Sequence, residues 1–470
     1  MKRSIATLVR KALHQGVRKV LALLPKHWRH ALFRRLVDCD PRPHPDLILK
    51  IADTQDELEA CFRILHDAYV ASGFMQPDPS GLRVTPYHAL PTTTTLCAKW
   101  QGRVVGTLSI IREGVFGFPL QTVFDLSPVR ASRGQIAEIS ALAIDPHFRK
   151  TGGQVLFPLM KFMYEYCREY FDTRHILIAV NPNKIELYES LLFFDRLQAQ
   201  VVDNYDFANG APAVGASLDL QLAPERFQAA YGHRIERKNL HAYFVMNRLP
   251  NIHQPQRRFF TTNDPVLTPK LMDHFFNRRT QVFSMLDDRR RLLLRAIYGD
   301  TAYAAVLPSP SEAALAAVSL RRHRRFSIRC PAELHVQSYG TWLVVPMNVI
   351  EVSQGGLQAE CCTTLPEGTR GQVVVRLGES ETARIEAIAV HRHVAGQAVY
   401  YGFKVLACDS TWQKGVDTLE LGCTHADLAP GVWPMTTPGA VLEAPMVETQ
   451  GVSALAVKVA PKPRALAHVT

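Results

Sequence analysis

No two of the nine cysteines form a Cys-x-x-Cys pair, and no uncharged apolar run in the 470 residues is long enough to cross a bilayer. An odd, unpatterned cysteine set argues against a disulfide framework and against a zinc ribbon; it suggests reduced thiols in a cytoplasmic protein. Cys361 and Cys362 are adjacent, too close for ordinary disulfide geometry. The N-terminus lacks a compact apolar core followed by a small-residue cleavage site, so no signal peptide is read there. A zinc spacing, a nucleophile elbow and a P-loop are also missing. His391 and His393 alternate on a strand without cysteine or carboxylate company, and no metal is expected.

Carboxylates are absent before Asp38, while Lys2, Arg3, Arg10, Lys11, Arg18, Lys19, Lys26, Arg29, Arg34 and Arg35 precede it. Much of the net charge of +11 therefore sits in this segment. The remainder is close to balanced, which argues against a nucleic-acid polymer as partner. Residues Ser4 to Leu24 repeat apolar positions every three or four residues with the basic ones opposite. A second short amphipathic piece runs through Trp28, Leu32 and Leu36. Two readings stand: a helix at the inner face of an anionic membrane, or a helix covering its own domain with a solvated basic face.

The length predicts several domains. The pattern divides the chain into basic helices (1–45), a mixed α/β region (46–260), a helical extension and linker (261–319), a β region (320–425) and a disordered tail (426–470). In the α/β region, strands are expected at Leu47 to Ala52, Thr93 to Lys99, Arg103 to Arg112, Gln135 to Ile144 and Ile176 to Val180. Helices are expected at Asp56 to Ser72, Gln154 to Tyr170 and Lys184 to Phe194. Helical patterns run from Thr268 to about Tyr298, where many arginines read as a solvated face. Beyond Phe326 the period switches to two. Strands are read at Phe326 to Ile328, Leu343 to Val352, Val373 to Leu377, Ile385 to Val390 and Val399 to Leu406, an antiparallel barrel closed by a helix capped at Asp409-Ser410. The fold class is thus α+β with more than one domain.

Two constellations carry chemistry. In the first, Glu138 lies on the strand Gln135 to Ile144, and Arg149-Lys150-Thr151-Gly152-Gly153-Gln154 leads from it into a helix. Glycines at a helix N-terminus leave N–H groups aimed at an anion. This order resembles the GNAT acyltransferase fold. Within it, the chain is similar to the N-acyl amino acid synthases and their relatives, the acyl-homoserine-lactone synthases. The segments that carry the likeness include Ile64 to Val70, Val104-Val105-Gly106-Thr107, Glu138-Ile139-Ser140, Asn181-Pro182-Asn183-Lys184 with Tyr188, and Gly210 to Val214. The resemblance implies attack of an amine on an acyl thioester. Glu138 would take the amine's proton, Tyr188 would protonate the leaving thiolate, and Arg149, Gly152 and Gly153 would hold the donor. Gln154 replaces the small residue usual in the loop, which suits the single phosphate of an acyl carrier protein better than coenzyme A. Ala141 replaces an arginine common in lactone synthases and favours another amine, such as an amino acid. The bland alternative for Glu138 is a carboxylate neutralised by a nearby arginine; for Tyr188 it is a core aromatic.

In the second constellation, Arg321-Arg322-His323-Arg324-Arg325 precedes the first barrel strand, and Glu351-Val352-Ser353-Gln354-Gly355-Gly356 ends a later one. Arginine forks onto phosphate and pairs with guanine edges, Ser353 can donate to a phosphate or base, and the glycines permit positive φ and close approach. These motifs resemble those of PilZ domains, receptors for cyclic di-GMP. The resemblance assigns Arg321, Arg322, Arg325, Glu351, Ser353, Gly355 and Gly356 to the nucleotide. Glu351 stands where that family has Asp or Asn. The joint expectation is an N-acyltransferase regulated by cyclic di-GMP. The alternatives are a non-catalytic effector on an acyltransferase-like scaffold and an acetyl-CoA-dependent enzyme.

Overall fold

The computed structural model describes residues 24–421, apart from 133, 150, 256–260, 262–266, 299–302, 318–325, 339–340, 379 and 396–397. The expected helix from Ser4 (save Leu24), the arginines Arg321, Arg322 and Arg325, and the tail from Ala426 therefore lie outside the described residues.

The first half builds one sheet from β1 (Leu47–Ile51), β2 (Thr93–Trp100), β3 (Arg103–Arg112), β4 (Gln135–Ile144), β5 (Thr173–Val180), β6 (Asp195–Arg196), β7 (Val202–Tyr205) and β8 (Ala211–Asp219). Their order is β1-β2-β3-β4-β5-β8-β6, with β7 beside β8. Neighbours run antiparallel except β4 and β5, which are parallel. A parallel pair needs a crossover, which the helix between them provides. The helices that position the site are α1 (Lys26–Arg35), α2 (Gln55–Ser72), α3 (Leu156–Glu169) and α4 (Pro182–Leu192). Helix α2 starts where the Thr54 side chain accepts from the Glu57 N–H and stops at Gly73, whose φ is 75°. Asn181 caps α4 in the same manner, with Pro182 as its first residue. This is the GNAT-like architecture expected from the motifs.

Two cores lie on the sheet. Ala137, Ile176 and Val214 join α3 and α4 residues in one. Ile136 and Leu177 join α2 in the other, which also takes Leu267, Leu271, Phe275, Phe276, Leu294 and Leu307. The segment from Leu267 to Leu307, expected as extension and linker, is thus packed into the α2 side of the sheet. Its helical run is also interrupted between Arg279 and Asp288, where α5 (Asp288–Tyr298) begins. Arg279 is not part of a solvated face, because its guanidinium meets Glu59 of α2 at 2.6 Å.

Helix α1 does not present the solvated basic face of one of the two readings. Arg29 meets Glu186 at 2.5 Å, Lys26 meets Glu189 at 3.2 Å, and Arg34 donates to the Ser190 carbonyl. The acidic face of α4 selects the cations, so Trp28 (62% exposed) and Leu36 (71%) face outward.

The C-terminal third is a closed six-stranded barrel of β9 (Phe326–Ser338), β10 (Thr341–Ser353), β11 (Gly356–Cys361), β12 (Arg370–Arg376), β13 (Thr382–Ala395) and β14 (Ala398–Cys408). Strand β11 was not expected; its buried Leu357, Ala359 and Cys361 alternate with partly covered neighbours. Helix α6 (Ser410–Leu421) follows, and the Asp409 carboxylate accepts from the Trp412 N–H at 2.8 Å, as its cap position predicts. The first barrel strand also reaches the preceding half, through Arg329 to Asp172 at 3.1 Å.

Candidate active site

Strand β4 carries the chemistry because it is irregular. Its parallel pairing with β5 ends at Glu138↔Leu177, although both strands continue, so the sheet opens beyond Glu138. On its other edge, Thr107 of β3 faces Ala143 and Ser109 faces Ser140. Leu108 alone therefore opposes both Ala141 and Leu142, a β-bulge. Ala141 adopts φ 56° there, a strained conformation for a residue with a Cβ, of order 1–3 kcal/mol. The bulge flips the alternation. Ala137 faces the α3 core, whereas Ala141 and Ala143 pack with Leu65, Ala68 and Tyr69 of α2.

Glu138 is 2% exposed. One carboxylate oxygen accepts from the Leu120 N–H at 3.1 Å. Burial pushes its pKa up to about 8, against the small downward pull of that N–H. No cation among the described residues offsets the burial, so the arginine-neutralised alternative is not what the structure presents. The surroundings are aromatic. Tyr87 lies edge-on to Phe116 and Phe207, and Tyr205 lies 5.9 Å from Phe207. Tyr87 is pushed up to about 12 by burial and by the charge of Glu138, and Tyr205 is pushed up by the same causes. Nearby, His88 accepts the Thr85 N–H at Nδ1 (3.0 Å) and faces the Ser109 hydroxyl at 3.4 Å. Burial and the Arg83 charge lower it to about 3, so it is a neutral imidazole.

The loop that carries Gly152 and Gly153 lies between β4 and α3. Gly152 and Gly153 take φ 66° and 88°, and α3 begins at Leu156 without a side-chain cap or first-turn acid. In that first turn the Phe157 N–H donates to the Gly153 carbonyl at 2.9 Å, and Pro158 has no N–H to offer an anion. A Cβ at Gly153 would meet the Phe157 ring at 2.5 Å, whereas one at Gly152 would meet nothing within 4 Å. Replacing Gly153 with alanine is therefore expected to raise the KM for the acyl donor about tenfold or more, and Gly152→Ala distinctly less; initial rates against donor concentration check this. Arg149 is exposed beside the loop, its Nε donating to the Ile144 carbonyl at 2.7 Å.

Tyr188 is half-buried on α4, edge-on to Phe194 at 5.8 Å, and packs against the α3 core. Burial raises its pKa, keeping the hydroxyl protonated. Glu138 and Tyr188 thus belong to different packing environments and do not form a direct pair. In the barrel, the Ser353 hydroxyl donates to the Gly356 carbonyl of its own turn at 3.1 Å. Gly356 does not take positive φ, contrary to expectation; it is needed because a Cβ would meet the Phe403 carbonyl oxygen at 2.7 Å. Gly355 accepts from the Val405 N–H. No cluster of possible metal ligands occurs among the described residues.

The family model for N-acyl amino acid synthase FeeM matches residues 60–219. That span holds Glu138, Arg149, Gly152, Gly153 and Tyr188. Among solved structures, FeeM from uncultured soil microbes is 23% identical, covering 39% of this chain and 95% of that one at a TM-score of 0.34. The coenzyme A-dependent acyl-homoserine lactone synthase BjaI is 18% identical, with 44% and 92% covered and a TM-score of 0.32. The Bacillus subtilis inhibitor of motility MotI/DgrA is 13% identical, with 22% and 51% covered and a TM-score of 0.20. No curated protein matches the chain.

Proposed function

We propose that this chain is an N-acyltransferase that moves a fatty acyl group from a thioester to the amine of an amino acid or similar small amine. The observation that carries this reading is Glu138: buried, unopposed by a cation, and placed where β4 and β5 part. Raised to about 8, the Glu138 carboxyl lies much closer to the pKa of an ammonium group than an ordinary carboxyl does, which lowers the cost of proton transfer. The thioester enters the opening between the strands, with the donor's phosphate on the Gly152-Gly153 loop and Arg149 beside it. Glu138 takes the amine's proton, directly or through a water. The nitrogen attacks the carbonyl carbon, and N–H groups along the open edge of β4 stabilise the oxyanion. Collapse breaks the C–S bond, the thiolate takes a proton from Tyr188, and an amide remains. Gln154 favours an acyl carrier protein over coenzyme A as donor.

The barrel is assigned to cyclic di-GMP, held by Arg321, Arg322, Arg325, Glu351, Ser353, Gly355 and Gly356, as a regulator of the transferase. The outward Trp28 and Leu36 and the basic residues before them favour peripheral contact with the cytoplasmic face of a membrane.

Lipid extracts from cells expressing the wild type are expected to contain new N-acylated amines that extracts from Glu138→Gln cells lack. Their absence from both would favour a non-catalytic scaffold. Titration calorimetry with cyclic di-GMP is expected to give heat that Arg325→Ala abolishes. No heat with the wild type would remove the receptor role.

A further inference from the structure

Arg83 is half-buried and has no carboxylate partner among the described residues, a state it shares with Arg34, Arg168 and Arg234, which also lie over rings. The Arg83 guanidinium lies over the Tyr69 ring at 4.1 Å and over Phe207 at 5.1 Å. One of its nitrogens donates to the Phe207 carbonyl at 2.7 Å, and another makes a long contact to the Met75 sulfur. A guanidinium carries five N–H donors in a planar fork, so this leaves capacity for an incoming oxyanion. A cation clamped between rings and left without a counter-charge is costly unless a ligand completes it.

Its position ties it to the reaction. Tyr69 stands in the last turn of α2 and packs against Ala141, the strained residue of the β4 bulge three positions past Glu138. Phe207 touches Tyr87 and Tyr205 of the aromatic wall. The Tyr205 hydroxyl is buried and has no hydrogen-bond partner, an unpaired donor beside the same rings. Glu138 and Arg83 are both near enough to act on the phenols of Tyr69 and Tyr205.

We propose that Arg83, with the Tyr205 hydroxyl, binds the α-carboxylate of the acyl acceptor and so restricts it to amino acids whose carboxyl group is free. The inference rests on the acyl-transfer reading and specifies its acceptor. The carboxylate takes the guanidinium fork and the phenolic O–H, while the amine, one carbon away, is directed at Glu138. An acceptor lacking the charge leaves Arg83 desolvated and unpaired, and discrimination of this kind exceeds what apolar contacts supply.

The test compares acylation of each protein amino acid with that of its carboxamide, in wild type, Arg83→Lys, Arg83→Gln and Tyr205→Phe. The wild type is expected to prefer the carboxylate by about 10- to 100-fold in kcat/KM. Arg83→Gln should collapse that ratio towards one through KM. Arg83→Lys, which keeps the charge and loses the fork, should retain part of it, and Tyr205→Phe should reduce it. Equal rates with acid and amide in the wild type, or an unchanged ratio in Arg83→Gln, overturn the assignment while leaving acyl transfer standing. If no amine is acylated, the transferase reading falls instead. Thermal-shift titration with the same amino acids then decides Arg83: stabilisation by an acid, lost in Arg83→Gln, supports the anchor, and none in the wild type overturns it.

Discussion

Glu138→Gln is expected to slow acyl transfer by about 10²- to 10⁴-fold while making the protein more stable. Glutamine fills the same space and can accept the Leu120 N–H, but it cannot take a proton from the amine. The stability gain follows from the raised carboxyl. With an ordinary value of 4.5 and a folded value of about 8, the folded state keeps a proton that the unfolded chain releases between those limits. Wild-type stability therefore falls as pH rises through that window, by about 1.4 kcal/mol per unit from this group at most. The variant lacks that slope. Its advantage should be small near pH 5 and largest at about pH 8 and above. Denaturant melts of both proteins across this range, beside the rate assay, make the measurement. A variant that stays active would mean that Glu138 is not the base, and a stability difference flat with pH would mean that burial does not hold it protonated.

Trp412→Ala is expected to unfold the barrel at a lower temperature while basal acyl transfer persists. Trp412 is fully buried at the start of α6 and packs with Val416 and Leu419 among the barrel's interior side chains. Removing an indole from such a core costs about 3–5 kcal/mol, a large share of the total stability of a small fold. The proposed transfer residues all lie in the β1–β8 half, so their arrangement should survive. Scanning calorimetry should resolve an early transition absent from the wild type, with transfer intact at temperatures below it. Simultaneous loss of both would mean that the two halves fold as one unit.

The sequence made some of this legible and hid the rest for physical reasons. The limits of β3 and β4 are legible because Arg103 and Arg112 bracket a largely apolar run, buried throughout from Val104, and Asp145-Pro146 stops the other strand. Glu138 stood out as a carboxylate on an otherwise apolar strand before a glycine loop. β11 escaped notice because it begins at a turn glycine and is only six residues long. The sequence left the docking face of helix α1 open because amphipathicity does not say which face docks; the carboxylates of α4 decide it. Arg83, Tyr87 and Tyr205 come from a loop, a single turn and a short strand, brought together only by tertiary packing. One signal was available: Arg83 is the only fully charged residue between Asp78 and Lys99. The bulge at Ala141 has no sequence signature, since nothing in the residue type demands positive φ.

The most direct test of the account is a reaction of the purified chain with a long-chain acyl carrier protein or acyl-CoA and a mixture of amino acids, read by mass spectrometry. The expected product is an N-acyl amino acid whose appearance matches thiol release one for one, and which Glu138→Gln forms at the uncatalysed rate. Thiol release without an amide product, or equal product from wild type and variant, would contradict it.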